Sequence, residues 1–264
     1  MYDFQYARPA NIVEARAALS GSNEAVLMAG GQTLIPTLKQ RLRKPSVVVD
    51  LGSVRNLGEV QIMKDKIMIG AMATHANVAA SPILAKRLPA LAALAGGIGD
   101  PHVRARGTIG GSIANADPAA DYPAAVVALN ADIVTDRRTT AADSFFKGLF
   151  ETTLARDEIV TSIHIKVPEK AAYAKFPNPA SRFALVGVFV AKFKDNVRVA
   201  VTGAGPSVFR LPDMEKALAQ SFTPDALVDI AVSPDRLNSD IHAAADYRAH
   251  LIGVMARRAV AACG

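Results

Sequence analysis

Two glycine pairs constrain this chain more than any other feature, each standing where an apolar run gives way to helical spacing. The first is Ala29-Gly30-Gly31-Gln32-Thr33. The second is Gly107-Thr108-Ile109-Gly110-Gly111-Ser112, entered through Arg104 and Arg106. Adjacent glycines let a backbone bend through positive φ and approach a ligand closely. Successive N–H groups at such a bend form a concavity for an anion, and a following helix adds partial positive charge. Two such loops, both flanked by Thr, Ser or Gln donors, suit the diphosphate of a dinucleotide; the bland alternative is a pair of tight turns with no ligand. Neither loop is G-x-G-x-x-G or G-x-x-x-x-G-K-[ST], which disfavours a Rossmann NAD site and a P-loop ATPase.

The flanking patterns place these loops in an α/β frame. Residues 25–29 are an unbroken apolar run that reads as a buried strand, 33–42 have helical spacing through Leu34, Leu38 and Leu42, and 47–51 read as a second strand. A helix over 11–20, capped by Asn11, precedes them. The next stretch mixes elements: a strand at 66–70, helices at 74–80 and 83–95, a loop over 96–118, a helix at 121–130, and strands at 131–135 and 158–167. Beyond residue 168 come a proline-broken connector at 175–181 and paired strands at 182–193 and 197–203. Helices at 211–220, 224–231 and 239–262 follow. The expected fold is α+β: a two-lobed domain over 1–168 (lobes about 1–56 and 57–168), then a smaller domain over 169–264 with a short antiparallel sheet and helices.

Composition removes several functions. The one cysteine of the 264 residues, Cys263, excludes a disulfide framework, a Cys-based zinc site and an iron–sulfur cluster ligated within the chain. His75, His102, His164, His242 and His250 have no H-x-x-x-H or H-E-x-x-H spacing, so no metal site is expected. No G-x-S-x-G elbow is present. The net charge of +6 permits an acidic partner without demanding one. Four cations within 39–44 read as a solvated helix face, the alternative being a dock for an acidic partner or for the phosphates of a cofactor, and with no aromatic among them nucleic-acid binding is not expected. The start has no signal-peptide pattern and no uncharged run reaches the ~18 residues of a membrane span, so a cytoplasmic chain is expected.

The second loop continues as Ile113-Ala114-Asn115-Ala116-Asp117-Pro118-Ala119-Ala120-Asp121-Tyr122-Pro123-Ala124. From Thr108 to Ala124 this run resembles the signature of the FAD-binding medium subunit of molybdenum hydroxylases, the xanthine dehydrogenase and aerobic carbon monoxide dehydrogenase family. Ala29 to Pro36 resembles the same family's first flavin loop, and Phe4-x-Tyr6-x-Arg8-Pro9 and Ala172-Tyr173-Ala174-Lys175-Phe176 also fit, so the likeness covers nearly the whole chain. Two departures stand out: Ser112 where Asn or Asp is common, and Ala105 where Asn is common.

The resemblance implies FAD between the two lobes. Ala29, Gly30, Gly31, Gln32 and Thr33 would wrap the diphosphate. Gly110, Gly111 and Ser112 would form a second clamp, with Thr108 as a hydroxyl partner and Ile109 between them. Asp121 would accept hydrogen bonds from sugar or ribityl hydroxyls; the alternative for it is a helix N-cap. Ile98 would pack on the cofactor, Val160 beside its adenine, Phe183 over one face of the isoalloxazine, and Lys175 near the flavin or its diphosphate. Partners implied are a small subunit with 2Fe–2S clusters and a large subunit with the molybdenum cofactor, as a dimer of heterotrimers. The flavin would pass electrons to NAD, a quinone or O2, and no catalytic side chain is assigned to this chain. Two other readings stay open: a self-contained FAD-dependent oxidoreductase of related fold, and a flavin-free interaction module.

Overall fold

A computed structural model describes residues 1–263. The first lobe is a three-stranded parallel sheet, with Val47–Asp50 between Gln5–Ala7 and Ala25–Met28. The helices Ile12–Ser20 and Leu34–Lys39 supply its crossovers. Asn11 caps the first of them, its side chain accepting from the Glu14 N–H at 3.0 Å. Ala15, Leu19, Ala25, Val49 and Leu51 form a small core that also takes in Ile159 from the second lobe.

That second lobe is a five-stranded antiparallel sheet in the order Val60–Met63, Lys66–Gly70, Val160–Lys166, Asp132–Thr135, Thr139–Ala141. Short helices cover it, among them His75–Ala80, Pro89–Gly96, Ile109–Asn115 and Tyr122–Ala128. A four-stranded antiparallel sheet follows: Lys170–Pro177, Ala184–Lys192, Val197–Thr202 and Phe209–Arg210. Its second strand reads Ala-Leu-Val-Gly-Val-Phe-Val-Ala without polar alternation because both faces are covered. Val186, Val188 and Val190 meet Leu251, Ile252 and Met255 of the helix Ala245–Ala262. Phe189 and Ala191 join the core of the second lobe.

Several sequence expectations are corrected. The helix over 83–95 is two helices, Pro82–Arg87 and Pro89–Gly96, since Pro89 pushes Leu88 out of helical geometry (φ −150°, ψ 61°). The loop over 96–118 contains Pro101–Arg106, capped by Asp100, and Ile109–Asn115, capped by Thr108. The connector at 175–181 belongs up to Pro177 to an edge strand, with the proline at a register shift where a ladder donor is not needed. The helix over 33–42 ends at Lys39, that over 239–262 begins at Ala245, and 224–231 is one 3-10 turn, Pro224–Leu227. The strand Val60–Met63 escaped the sequence reading altogether.

Thr108 is the cap on which the second glycine loop hangs: its Oγ1 accepts from the Gly111 N–H at 3.1 Å, and it bridges to Thr74. Thr108→Ala is expected to lower the free energy of unfolding by about 1 kcal/mol in chemical denaturation.

Candidate functional site

A cavity of about 500 Å3 runs along the junction of the two lobes and out to the third sheet. At one end Leu19, Ala25, Leu27, Leu154 and Ile159 make an apolar wall; at the other stand Ile98, Asp121 and the half-exposed Phe183; both glycine loops line it.

The first loop leaves its backbone donors open. Gly31 sits at φ +74°, a left-handed bend that lets the strand turn directly into Leu34–Lys39. Among the described residues, the N–H groups of Gly30, Gly31, Gln32 and Thr33 donate to no backbone or side-chain acceptor. Four consecutive free donors on a cavity wall form the concavity that binds anions. The following helix has only six residues and adds little dipole of its own.

The second loop differs from expectation. It is the first turn of a helix, and its donors at 109–112 are already spent. Ile109 donates to the Ala73 carbonyl at 3.1 Å and Gly110 to that of Ala71 at 2.8 Å. Gly111 donates to Thr108 Oγ1 at 3.1 Å, and Ser112 to the Thr108 carbonyl at 3.0 Å. The second clamp thus offers a flat glycine surface and the Ser112 side chain rather than backbone N–H groups. Its glycines answer to protein contacts. A Cβ on Gly110 would stand 2.5 Å from the Ala71 Cβ, and one on Gly111 would stand 2.8 Å from Thr108 Oγ1. A Cβ on Gly30 would collide with the Arg106 carbonyl.

Of the fifteen sequence-predicted site residues, Ala29, Gly30, Gly31, Gln32, Thr33, Ile98, Thr108, Gly110, Gly111, Ser112, Asp121, Val160 and Phe183 line the cavity. Two do not. The Ile109 side chain is wholly buried in the second-lobe core, because residues facing inward from the first turn of its helix meet the sheet. Lys175 lies behind the wall, its Nζ donating to the carbonyls of Gly97 (3.0 Å) and Arg182 (3.2 Å) and pairing with Asp121 at 3.1 Å. It is a structural tie that holds the end of the cavity together.

Asp121 does not cap its helix. Its carboxylate accepts from Tyr173 Oη at 2.5 Å and from Lys175. Burial pushes its pKa up against the pull of those two partners. Two oxygens can take further donors, so it keeps capacity toward a ligand hydroxyl.

Arg104 is structural, holding the Ile98 and Gly99 carbonyls at 2.9 and 3.2 Å. The wall also takes in residues outside the predicted set, among them His75, Glu158 and Ile159, and Arg43 of the basic cluster. Arg43, one of the four cations in 39–44, is exposed and unpaired among the described residues. Glu158 is no free base, because the Arg138 guanidinium, the Ala155 N–H and Thr135 hold its carboxyl down to about 2. Ile159 was accessible to sequence reasoning as the neighbour of Val160. His75 was not, since only the Thr74–Thr108 bridge carries it to the loop.

A sequence model described as the FAD binding domain in molybdopterin dehydrogenase matches residues 2–168. The nicotine 6-hydroxylase medium subunit of Paenarthrobacter nicotinovorans is 38% identical, the alignment covering 98% of this chain and 97% of that one. The carbon monoxide dehydrogenase medium chain of Hydrogenophaga pseudoflava is 34% identical over 97% of this chain and 96% of its own. Among solved structures, reconstituted CO dehydrogenase from Oligotropha carboxidovorans superposes with a TM-score of 0.92 at 31% identity, over 99% of this chain and 97% of that one.

Gly30→Ala is expected to lower stability by about 1–3 kcal/mol with no ligand present, because the new methyl meets the facing carbonyl. Gln32→Ala, at an exposed side chain, changes it by less than about 0.5 kcal/mol. Denaturation midpoints that agree for the two variants would contradict the loop-to-loop contact.

Proposed function

The chain belongs to the FAD-binding medium subunits of the molybdopterin hydroxylases, oxidoreductase complexes, and from that premise we propose that it holds FAD in the inter-lobe cavity as the electron exit of such a complex. The observation that carries the assignment of the cavity is the run of four free N–H groups at residues 30–33. Those donors meet the diphosphate, with Arg43 as the nearby cation. The apolar wall of Ala25, Leu27, Ile159 and Val160 takes the adenine, as apolar surface takes a flat heterocycle. Asp121 accepts from ribityl or sugar hydroxyls, and Ile98 and Phe183 flank the isoalloxazine.

Bound FAD supplies the exchange between one-electron carriers and a two-electron acceptor. The residues of this chain position it. Tyr173 and Lys175 fix the Asp121 carboxylate, so a hydroxyl meets an acceptor that is already oriented. Phe183, 46% exposed, covers one ring face while leaving its edge open to an acceptor. That the relatives are a medium subunit and a medium chain supports partners that bring the molybdenum centre and the 2Fe–2S clusters. We further take 1–168 as the flavin-binding unit and 169–264 as the domain packed beside it, a division supported by where the family match ends. NAD, a quinone or O2 is the acceptor. No described helix is long and apolar enough to cross a membrane.

The test is the visible spectrum of the purified chain after incubation with FAD and desalting. Retained flavin bands shifted from those of free FAD are expected, and a colourless protein that ignores excess FAD would contradict the assignment. Phe183→Ala is expected to retain flavin while changing its spectrum or potential. An unchanged spectrum and potential would remove Phe183 from the ring.

A further inference from the structure

At the root of the second glycine loop, a buried polar side chain on the cavity wall is left unbonded among the described residues. His75 is the first residue of the helix His75–Ala80, and its backbone is fastened to the loop. Its N–H donates to the Gly107 carbonyl at 2.9 Å, and the preceding Thr74 bridges to Thr108. The imidazole is only 6% exposed, lines the cavity, and lies so close to Gly107 that a Cβ there would stand 2.5 Å from Nε2. The ring packs on Tyr122 with centroids 5.3 Å apart. Nδ1 is buried with no hydrogen-bond partner among the described residues, and so is the Tyr122 hydroxyl.

Nδ1 is sealed against Tyr122, so Nε2, the ring nitrogen beside Gly107 on the cavity wall, is the atom that can reach a ligand. The surroundings keep the ring neutral. Burial, reinforced by the Arg104 charge on Pro101–Arg106, holds its pKa down to about 4. Tyr122 stays a neutral phenol, burial raising its pKa well above the ordinary value. The helix Pro89–Gly96 has no titratable side chain, and Lys86 and Arg87 on Pro82–Arg87 are exposed. A neutral imidazole offers one N–H donor and one acceptor, here beside the place where the two glycine loops touch.

Building on the flavin assignment above, we propose that His75 is a cofactor-contact residue whose Nε2–H donates to a phosphate or ribityl oxygen of FAD. An anion brought beside the ring favours its protonated form and raises its pKa. Between the free-chain and bound-chain values the complex then carries a proton that the free chain lacks. FAD binding therefore tightens as pH falls through the bound-chain value toward about 4. Asp121 and Glu158 also stand on the cavity wall, but they titrate equally in a His75 variant. The difference between the two proteins isolates the imidazole.

The experiment titrates the full chain with FAD by flavin fluorescence at several pH values, beside His75→Leu and His75→Asn checked for folding by thermal melts. Wild type is expected to bind more tightly on acidification. His75→Leu is expected to bind at least about tenfold more weakly at neutral pH and to lose that share of the pH dependence. His75→Asn should regain part of the affinity and none of the pH effect. By NMR, the His75 ring of wild type should titrate at higher pH with FAD than without. A folded His75→Leu with wild-type affinity and pH profile would overturn the assignment and leave a structural histidine. Should neither variant fold, an equal His75 pKa in free and loaded wild type overturns it. Wild type that binds no FAD at any pH would instead refute the flavin assignment, and this inference with it.

Discussion

The structure depends on one close approach, the seating of Gly30 against the Arg106 carbonyl and Gly107. This contact brings a strand-to-helix bend of the first lobe onto a helix-to-helix bend of the second. The Thr74–Thr108 bridge, the Thr108 cap on Gly111 and the Gly110 N–H on the Ala71 carbonyl all fix the second partner in that contact. Packing so tight has a consequence for chemistry. The second loop spends its donors on protein acceptors, and the first, held by shape rather than by hydrogen bonds, keeps four donors free. The asymmetry leaves open donors on one loop and protein-bonded donors on the other.

The third sheet completes the other end of the cavity rather than standing apart. Thr202 Oγ1 donates to the Pro118 and Ala120 carbonyls at 2.8 and 2.6 Å, and the Gly203 N–H donates to the Pro118 carbonyl at 2.7 Å. Tyr173 and Lys175 hold Asp121 from the same sheet. The loop carrying Asp121 therefore has its position set by a domain that contributes Phe183 but little else to the wall. Arg182 ties that segment back to Gly99 at 3.1 Å, beside Ile98. An aromatic held at a cavity mouth by its neighbours in this way stays poised without being buried.

Most of the site was legible in the sequence because its residues are clustered along the chain. The motifs around Gly30 and Gly110 carry nine of the predicted wall residues by local spacing alone, and Asp121 follows in the same run. What escaped was set by distance. Lys175 looked like a cofactor contact, yet it serves three groups at Gly97, Asp121 and Arg182 that no local pattern joins. Ile109 looked like part of a loop until Thr108 capped a helix and turned its side chain into the core. In the fold, the doubly covered strand Ala184–Lys192 was visible as an apolar run, whereas its edge partner Lys170–Pro177 was obscured by prolines that an edge position tolerates. His75 was a lone histidine in sequence and becomes informative only once its burial and missing partner are seen.

The central claim, that residues 30–33 present open donors to the diphosphate of FAD while residues 109–112 do not, is tested most directly by amide hydrogen exchange with and without FAD. The account predicts fast exchange at 30–33 in the free chain, strong protection there on adding FAD, and protection at 109–112 that is already high and changes little. Protection that appears at 109–112 instead, with 30–33 exchanging alike in both states, would contradict it.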